Sequence, residues 1–110
     1  MSQVNLCIIK HNVLSWKKNK NNLVNTYNKI NPDVILINSH GNLNNEKIKI
    51  FNYIVYQTNK ANERNNGSAI AERHDIKHRI REKFYSDIIS IEIYTNLGIV
   101  EIATSYVPQD

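Results

Sequence analysis

The sequence predicts an α/β chain with a β-α-β start and an antiparallel β second half, and three observations carry that prediction. Two short apolar runs, Leu6 to Ile9 and Val34 to Ile37, flank a segment with helical periodicity. Pro32 stands between that segment and the second run, where a helix must stop. Further on, Ile88 to Tyr94 and Ile99 to Tyr106 flank Thr95-Asn96-Leu97-Gly98, the clearest hairpin signal in the chain.

The elements follow in order. Leu6 to Ile9 is short, continuous and partly β-branched, which reads as a buried central strand. Cys7 within it reads as a small buried hydrophobe. Ser15 is placed to cap a helix over residues 17 to 30, in which Leu23, Val24, Tyr27 and Ile30 recur on one face. Leu23, Tyr27 and Ile30 are therefore expected to be buried. Val34 to Ile37 is the second fully apolar strand, and the short joints on either side of the helix make parallel pairing with the first the natural choice. Tyr53 to Tyr56 is rich in strand formers. Residues 59 to 66 are polar and end in Asn-Asn-Gly, a turn signal. Ser68 to Ala71 and Ile76 to Ile80 read as two more strands parted near His74-Asp75.

Composition narrows the function classes. The 110 residues fit one domain, and a hydrophobic fraction of 41% is that of an ordinary globular chain. Eighteen are asparagines, many in pairs where loops are expected. A formal charge of +4 permits contact with nucleic acid without requiring it. One cysteine makes neither an internal disulfide nor a thiolate zinc site. No apolar stretch approaches the roughly 20 residues that cross a bilayer, and the N-terminus lacks the layout of a secretion signal. An intracellular location, nuclear or cytoplasmic, and no membrane partner are expected.

No self-standing catalytic motif is present, neither a glycine-rich phosphate loop nor a paired-His zinc helix. His74 and His78 are four apart, but in a stretch that reads as strand and loop that spacing does not make a metal pair. Arg73, Lys77, Arg79, Arg81 and Lys83 alternate, so on one strand they would share a face able to line nucleic-acid phosphates. The competing use of such a pattern, a charged sheet edge that blocks aggregation, is the commoner one. A more specific feature is the set of polar residues ending the strands: His11-Asn12, Asn38-Ser39-His40 and Ser105-Tyr106-Val107-Pro108. In an α/β sheet the carboxyl ends of parallel strands gather ligands.

Several segments in order resemble one family. They are His11-Asn12 before the basic Lys17 to Lys20, Pro32-Asp33-Val34-Ile35-Leu36, and Ile50-Phe51-Asn52-Tyr53. Gly67-Ser68-Ala69-Ile70, Asp75-Ile76-Lys77-His78, Leu97-Gly98 and Ser105-Tyr106-Val107-Pro108 complete the set. Together they resemble the N-terminal half of the nuclease domain of non-LTR retrotransposons, a branch of the endonuclease/exonuclease/phosphatase superfamily. The resemblance implies half of a four-layer α/β sandwich, a single partial domain over 1–110. It also implies a chemistry, magnesium-dependent phosphodiester hydrolysis that nicks target DNA to prime reverse transcription. Asn12 corresponds to the metal-shell asparagine and Tyr106 to the tyrosine near the scissile phosphate. Ser39 stands where the family's metal-binding glutamate is expected. The family's Gly-Asp-Phe-Asn-like segment and terminal Asp-His pair have no counterpart in these residues.

These departures lead to the expectation that no magnesium is held here and that the chain alone does not cut DNA. A non-catalytic module binding nucleic acid or protein on the same scaffold is the alternative. A half sandwich would also leave the inner face of the Ile88–Tyr106 hairpin bare, to be covered by a second copy or a partner chain.

Overall fold

A computed structural model of the chain describes residues 6–41, 46–57, 67–76, 78–81 and 88–105. It contains strand β1 (Ile8–Asn12), helix α1 (Trp16–Ile30), and strands β2 (Val34–Asn38), β3 (Tyr53–Gln57), β4 (Ser68–Arg73), β5 (His78–Arg81), β6 (Ile88–Thr95) and β7 (Gly98–Ser105). Of β5, and of Ile88 and Ser105, only the backbone is considered.

The β1-α1-β2 unit forms as the sequence predicts. The Ser15 hydroxyl caps α1 by accepting from the Lys18 amide at 3.4 Å. At the other end Asn31 takes the left-handed conformation (φ 53) and donates its amide to the Tyr27 carbonyl at 2.8 Å. The chain then runs straight through Pro32 into β2, which pairs parallel with β1 from Ile8↔Val34 to Asn12↔Asn38. β4 lies antiparallel on the far side of β2, and β3 antiparallel on β4, so the first sheet has the order β1-β2-β4-β3.

The edge position of β1 corrects one expectation. The central strands are β2 and β4; β1 alternates between exposed and half-buried residues, with Ile8 43% exposed. Cys7, just before it, is exposed rather than buried. A four-residue apolar run looks the same at a sheet edge and at its centre, because periodicity does not register how many neighbours a strand has.

α1 packs on one face of this sheet. Trp16 and Tyr27 join Val13, Ile35, Ile37, Ile48, Ile50, Ala69 and Ala71 in a core that Leu23 and Val24 flank. Each large apolar side chain buried there contributes roughly 1.5–3 kcal/mol. Of the three helix residues expected inside, Tyr27 is fully buried, Leu23 is partly buried, and Ile30 is 49% exposed. Ile30 lies in the last turn, where Asn31 bends the chain away toward β2, and the stripe is closed instead by Trp16 at the first turn.

The second sheet has the order β5-β6-β7. It packs on the other face of the first: Ile89, Ile91, Ile93 and Ile102 meet Val34 and Ile70, with Leu36, Tyr56 and Ile76 at the margin. The inner face of the β6-β7 hairpin, expected to be bare, is therefore covered within the chain. The described residues thus supply both layers of a small sandwich, and the sequence pattern of β6 and β7 does not say which sheet they meet.

Candidate functional site

Four strands bring polar residues to one end of this sandwich. β1 ends at Asn12 and β2 at Asn38; β4 starts there at Ser68, and β7 reaches it at Thr104. Asn12 and Asn38 are paired neighbours in a parallel register, so their side chains share a face. Asn38 is buried, and its Oδ1 accepts from the Ser68 hydroxyl at 3.1 Å and from the Thr104 hydroxyl at 3.3 Å. One amide oxygen thus joins both sheets. With that oxygen doubly occupied, what Asn38 keeps for a ligand is its pair of N–H donors, and Asn12 beside it is exposed.

Beyond Asn38 the backbone is held from two directions. Ser39 adopts a left-handed conformation (φ 61). Its amide donates to the Gly67 carbonyl at 2.7 Å, and its own carbonyl accepts from the Ser15 amide at 2.9 Å. The His40 carbonyl accepts from the Trp16 amide at 2.8 Å, and the Asn38 carbonyl from Val13 at 2.9 Å. These bonds lock the end of β2 to the β1-α1 joint on one side and to the start of β4 on the other.

His40 is fully buried beneath this crossing. Burial pushes its imidazole down to about 4, against an upward pull from a hydrogen bond to the Ser68 backbone. It is neutral at physiological pH. On the opposite face of β1, His11 Nδ1 lies 2.9 Å from the Tyr27 hydroxyl, whose pKa burial drives up to about 12. Tyr27 belongs to the helix-side core, and the half-buried His11 packs against its ring.

The chemistry of this donor set is neutral throughout. Asn12, Asn38, Ser39, Ser68 and Thr104 offer amides and hydroxyls and no carboxylate, and His40 carries no charge near neutral pH. Magnesium sheds its water reluctantly and takes carboxylate oxygens in proteins. Among the described residues no group of three His, Cys, Asp or Glu side chains is placed to hold a metal ion. The strand ends therefore do not fit the magnesium that the resemblance implies. With the Ser68 and Thr104 hydroxyls donating to Asn38, the N–H groups of Asn38 and of the exposed Asn12 are what suit a ligand that accepts hydrogen bonds.

The basic segment is split by the fold. Arg73 ends β4 in the first sheet, whereas Arg79 and Arg81 lie in β5 of the second, so they do not share one strand face. Arg73 is bound at the other end of the sandwich: its guanidinium meets Asp33 at 2.6 Å and Asp75 at 2.8 Å, and donates to the Asn31 carbonyl at 3.3 Å. Those contacts hold its pKa above the usual arginine value, the Asp75 hydrogen bond first among them. In register Arg79 stands opposite Glu92, and Arg81 opposite Ser90. Lys77, Lys83 and Tyr106 lie outside the described residues. Residue-type reasoning found Asn12, Asn38, Ser39 and His40 at the strand ends, gave Ser68 no place among them, and passed over Thr104. The available signal was a small polar residue at the end of each apolar strand.

No protein-family model and no curated protein sequence matches the chain. Solved structures do. The endonuclease domain of TRAS1, a telomere-specific non-LTR retrotransposon, superposes with a TM-score of 0.73 over 94% of this chain at 15% identity. The chain carries part of an endonuclease/exonuclease/phosphatase-type fold. An AP endonuclease, LMAP from Leishmania major, gives a TM-score of 0.70 over 92% of this chain at 13% identity. The chain spans 46% of the first structure and 39% of the second, so what superposes is a part of the nuclease-type fold. The expectation of a partial α/β sandwich of this type stands. No helix among the described residues is long and apolar enough to cross a membrane.

Proposed function

We propose that this chain forms the N-terminal frame of a DNA-nicking nuclease domain, and that its strand-end centre contacts the phosphodiester backbone through neutral donors. The observation that carries this reading is the convergence on Asn38: one buried side chain ties β2, β4 and β7 together beside the exposed Asn12, at the end of the sheet where ligands gather. The likeness to two endonuclease folds supports it. In this reading Asn12 and Asn38 donate N–H groups to phosphate oxygens, and Tyr106, by resemblance, adds a hydroxyl.

Hydrolysis is not assigned to these residues alone. Generating an attacking hydroxide takes a general base or a metal ion, each worth large factors in rate. The family's magnesium belongs with carboxylates, and Ser39 at the expected glutamate position offers only a neutral hydroxyl. The test is supercoiled plasmid incubated with the purified chain and magnesium. Intact plasmid is expected. Nicking that survives purification and is lost in Tyr106→Phe would show that the chain hydrolyses by itself.

A second reading is a non-catalytic nucleic-acid-binding module on the same scaffold. The neutral donor set favours it. The two differ in whether nicking appears once the missing carboxylates are supplied by a longer chain, with DNA binding expected in both.

A further inference from the structure

The outer surface of the helix layer carries charge of one sign. The fifteen residues of α1 include Lys17, Lys18, Lys20 and Lys29 and no acidic residue; the remaining polar positions are asparagine and threonine. Beside the helix runs the segment 46–50, anchored by Ile48 and Ile50 in the same core as Trp16 and Tyr27. With those isoleucines turned inward, Lys47 and Lys49 are exposed. The segment is tied down twice: the Ile48 amide donates to Gln57 Oε1 at 3.1 Å, and Gln57 Nε2 donates to the Glu46 carbonyl at 3.0 Å. Glu46 pairs with Lys17, which joins this segment to the first turn of the helix. Residues 16–30 and 46–50 thus present six lysines against one carboxylate, and that carboxylate is already paired.

The placement runs against helix stability. Cations in the first turn oppose the helix dipole, and α1 has Lys17 and Lys18 there with no acidic residue of its own. A polyanion lying across this turn reverses the sign of that interaction. The first turn of α1 also adjoins the strand-end centre, since the Ser15 and Trp16 amides bond to Ser39 and His40.

We infer that Lys18, Lys20, Lys47 and Lys49 form a docking surface for the phosphate backbone of nucleic acid, continuous with the strand ends; this rests on the proposed DNA-directed function. Lysine point charges and exposed asparagine amides (Asn21, Asn22, Asn25) suit backbone contact rather than base reading. The surface binds any sequence and holds the duplex over the helix layer as its backbone passes Asn12.

The test is fluorescence anisotropy of a short DNA duplex with the full chain, over about 50 to 200 mM salt, where each neutralised phosphate adds about 0.9 to the log–log slope. The K18Q/K20Q/K47Q/K49Q variant should lower the slope by about 2 or more and weaken binding at least about tenfold at the lowest salt. Lys29→Gln, at the far end of the helix, should leave the slope unchanged. Thermal unfolding by circular dichroism identifies a variant that has lost its fold, in which case the pairwise variants K18Q/K20Q and K47Q/K49Q carry the same comparison. Binding with an unaltered slope in the quadruple variant overturns this surface and leaves the DNA-directed reading intact. No binding to DNA at low salt, or binding only to vesicles of anionic lipid, overturns both.

Discussion

Gly67 lies against the imidazole of His40 so closely that a Cβ on the glycine would sit 2.5 Å from Nε2 and 2.6 Å from Cε1. The glycine has φ +103, a conformation other residues avoid, and its carbonyl accepts from both Ser39 and His40. Two requirements, backbone conformation and absence of a side chain, meet at the point where the strand-end centre is held.

Gly67→Ala should therefore destabilise the chain by about 1–3 kcal/mol, the range for overpacking a closed site. Urea unfolding measures it. If the clash with the ring is the cause, His40→Ala in the same chain recovers part of the loss, and the double-mutant cycle is non-additive. An additive cycle would place the whole cost in the backbone conformation.

Stability should peak in mildly acidic solution. Burial raises the Glu72 carboxyl from 4.5 to about 8, because an ionised carboxylate shut away from water is poorly solvated. Between those values the folded chain keeps a proton that the unfolded chain has released, so stability falls as pH rises from about 4.5 to about 8. His40 has the opposite sign: its pKa drops from 6.5 to about 4, so the unfolded chain gains a proton first and stability falls as pH drops across that interval. The two trends oppose each other between 4.5 and 6.5 and leave Glu72 alone above it. In Glu72→Gln the decline above pH 6.5 should flatten in denaturant titrations. A decline of unchanged slope would assign it to another group.

Arg73 is expected to act on stability rather than on DNA. Asp33 accepts from the Cys7 amide at 2.7 Å and meets the Arg73 guanidinium at 2.6 Å, so removing the arginine leaves a half-buried carboxylate short of one partner. Arg73→Ala should cost about 1.5–3 kcal/mol, as for hydrogen bonds to charged groups, with the salt dependence of DNA binding unchanged. A slope reduced by about 1 would instead count Arg73 among the phosphate contacts.

The parts of this fold legible in the sequence were the ones set locally. Ser15 as cap, Pro32 as stop and Gly98 in the hairpin turn each act within a few residues, and the parallel β1-β2 pairing follows from the short joints around α1. What depended on distant partners was not legible. The edge position of β1, the exposure of Ile30 and the covering of the hairpin by Val34 and Ile70 are decided by segments tens of residues apart. The same division runs through the candidate site. Asn12 and Ser39 stand out at strand ends, whereas Thr104 reaches Asn38 across 66 positions of sequence, a contact that no periodicity encodes.

The central claim is that the strand-end centre meets the phosphodiester backbone through neutral donors without a bound cation. Side-chain amide resonances of Asn12 and Asn38, followed by nuclear magnetic resonance during addition of a short DNA duplex, test it most directly. Both are expected to shift with DNA in a buffer free of divalent ions, and magnesium added without DNA should move neither. Resonances at 12 and 38 that respond to magnesium alone, or that stay still while DNA binds elsewhere on the chain, would contradict the account.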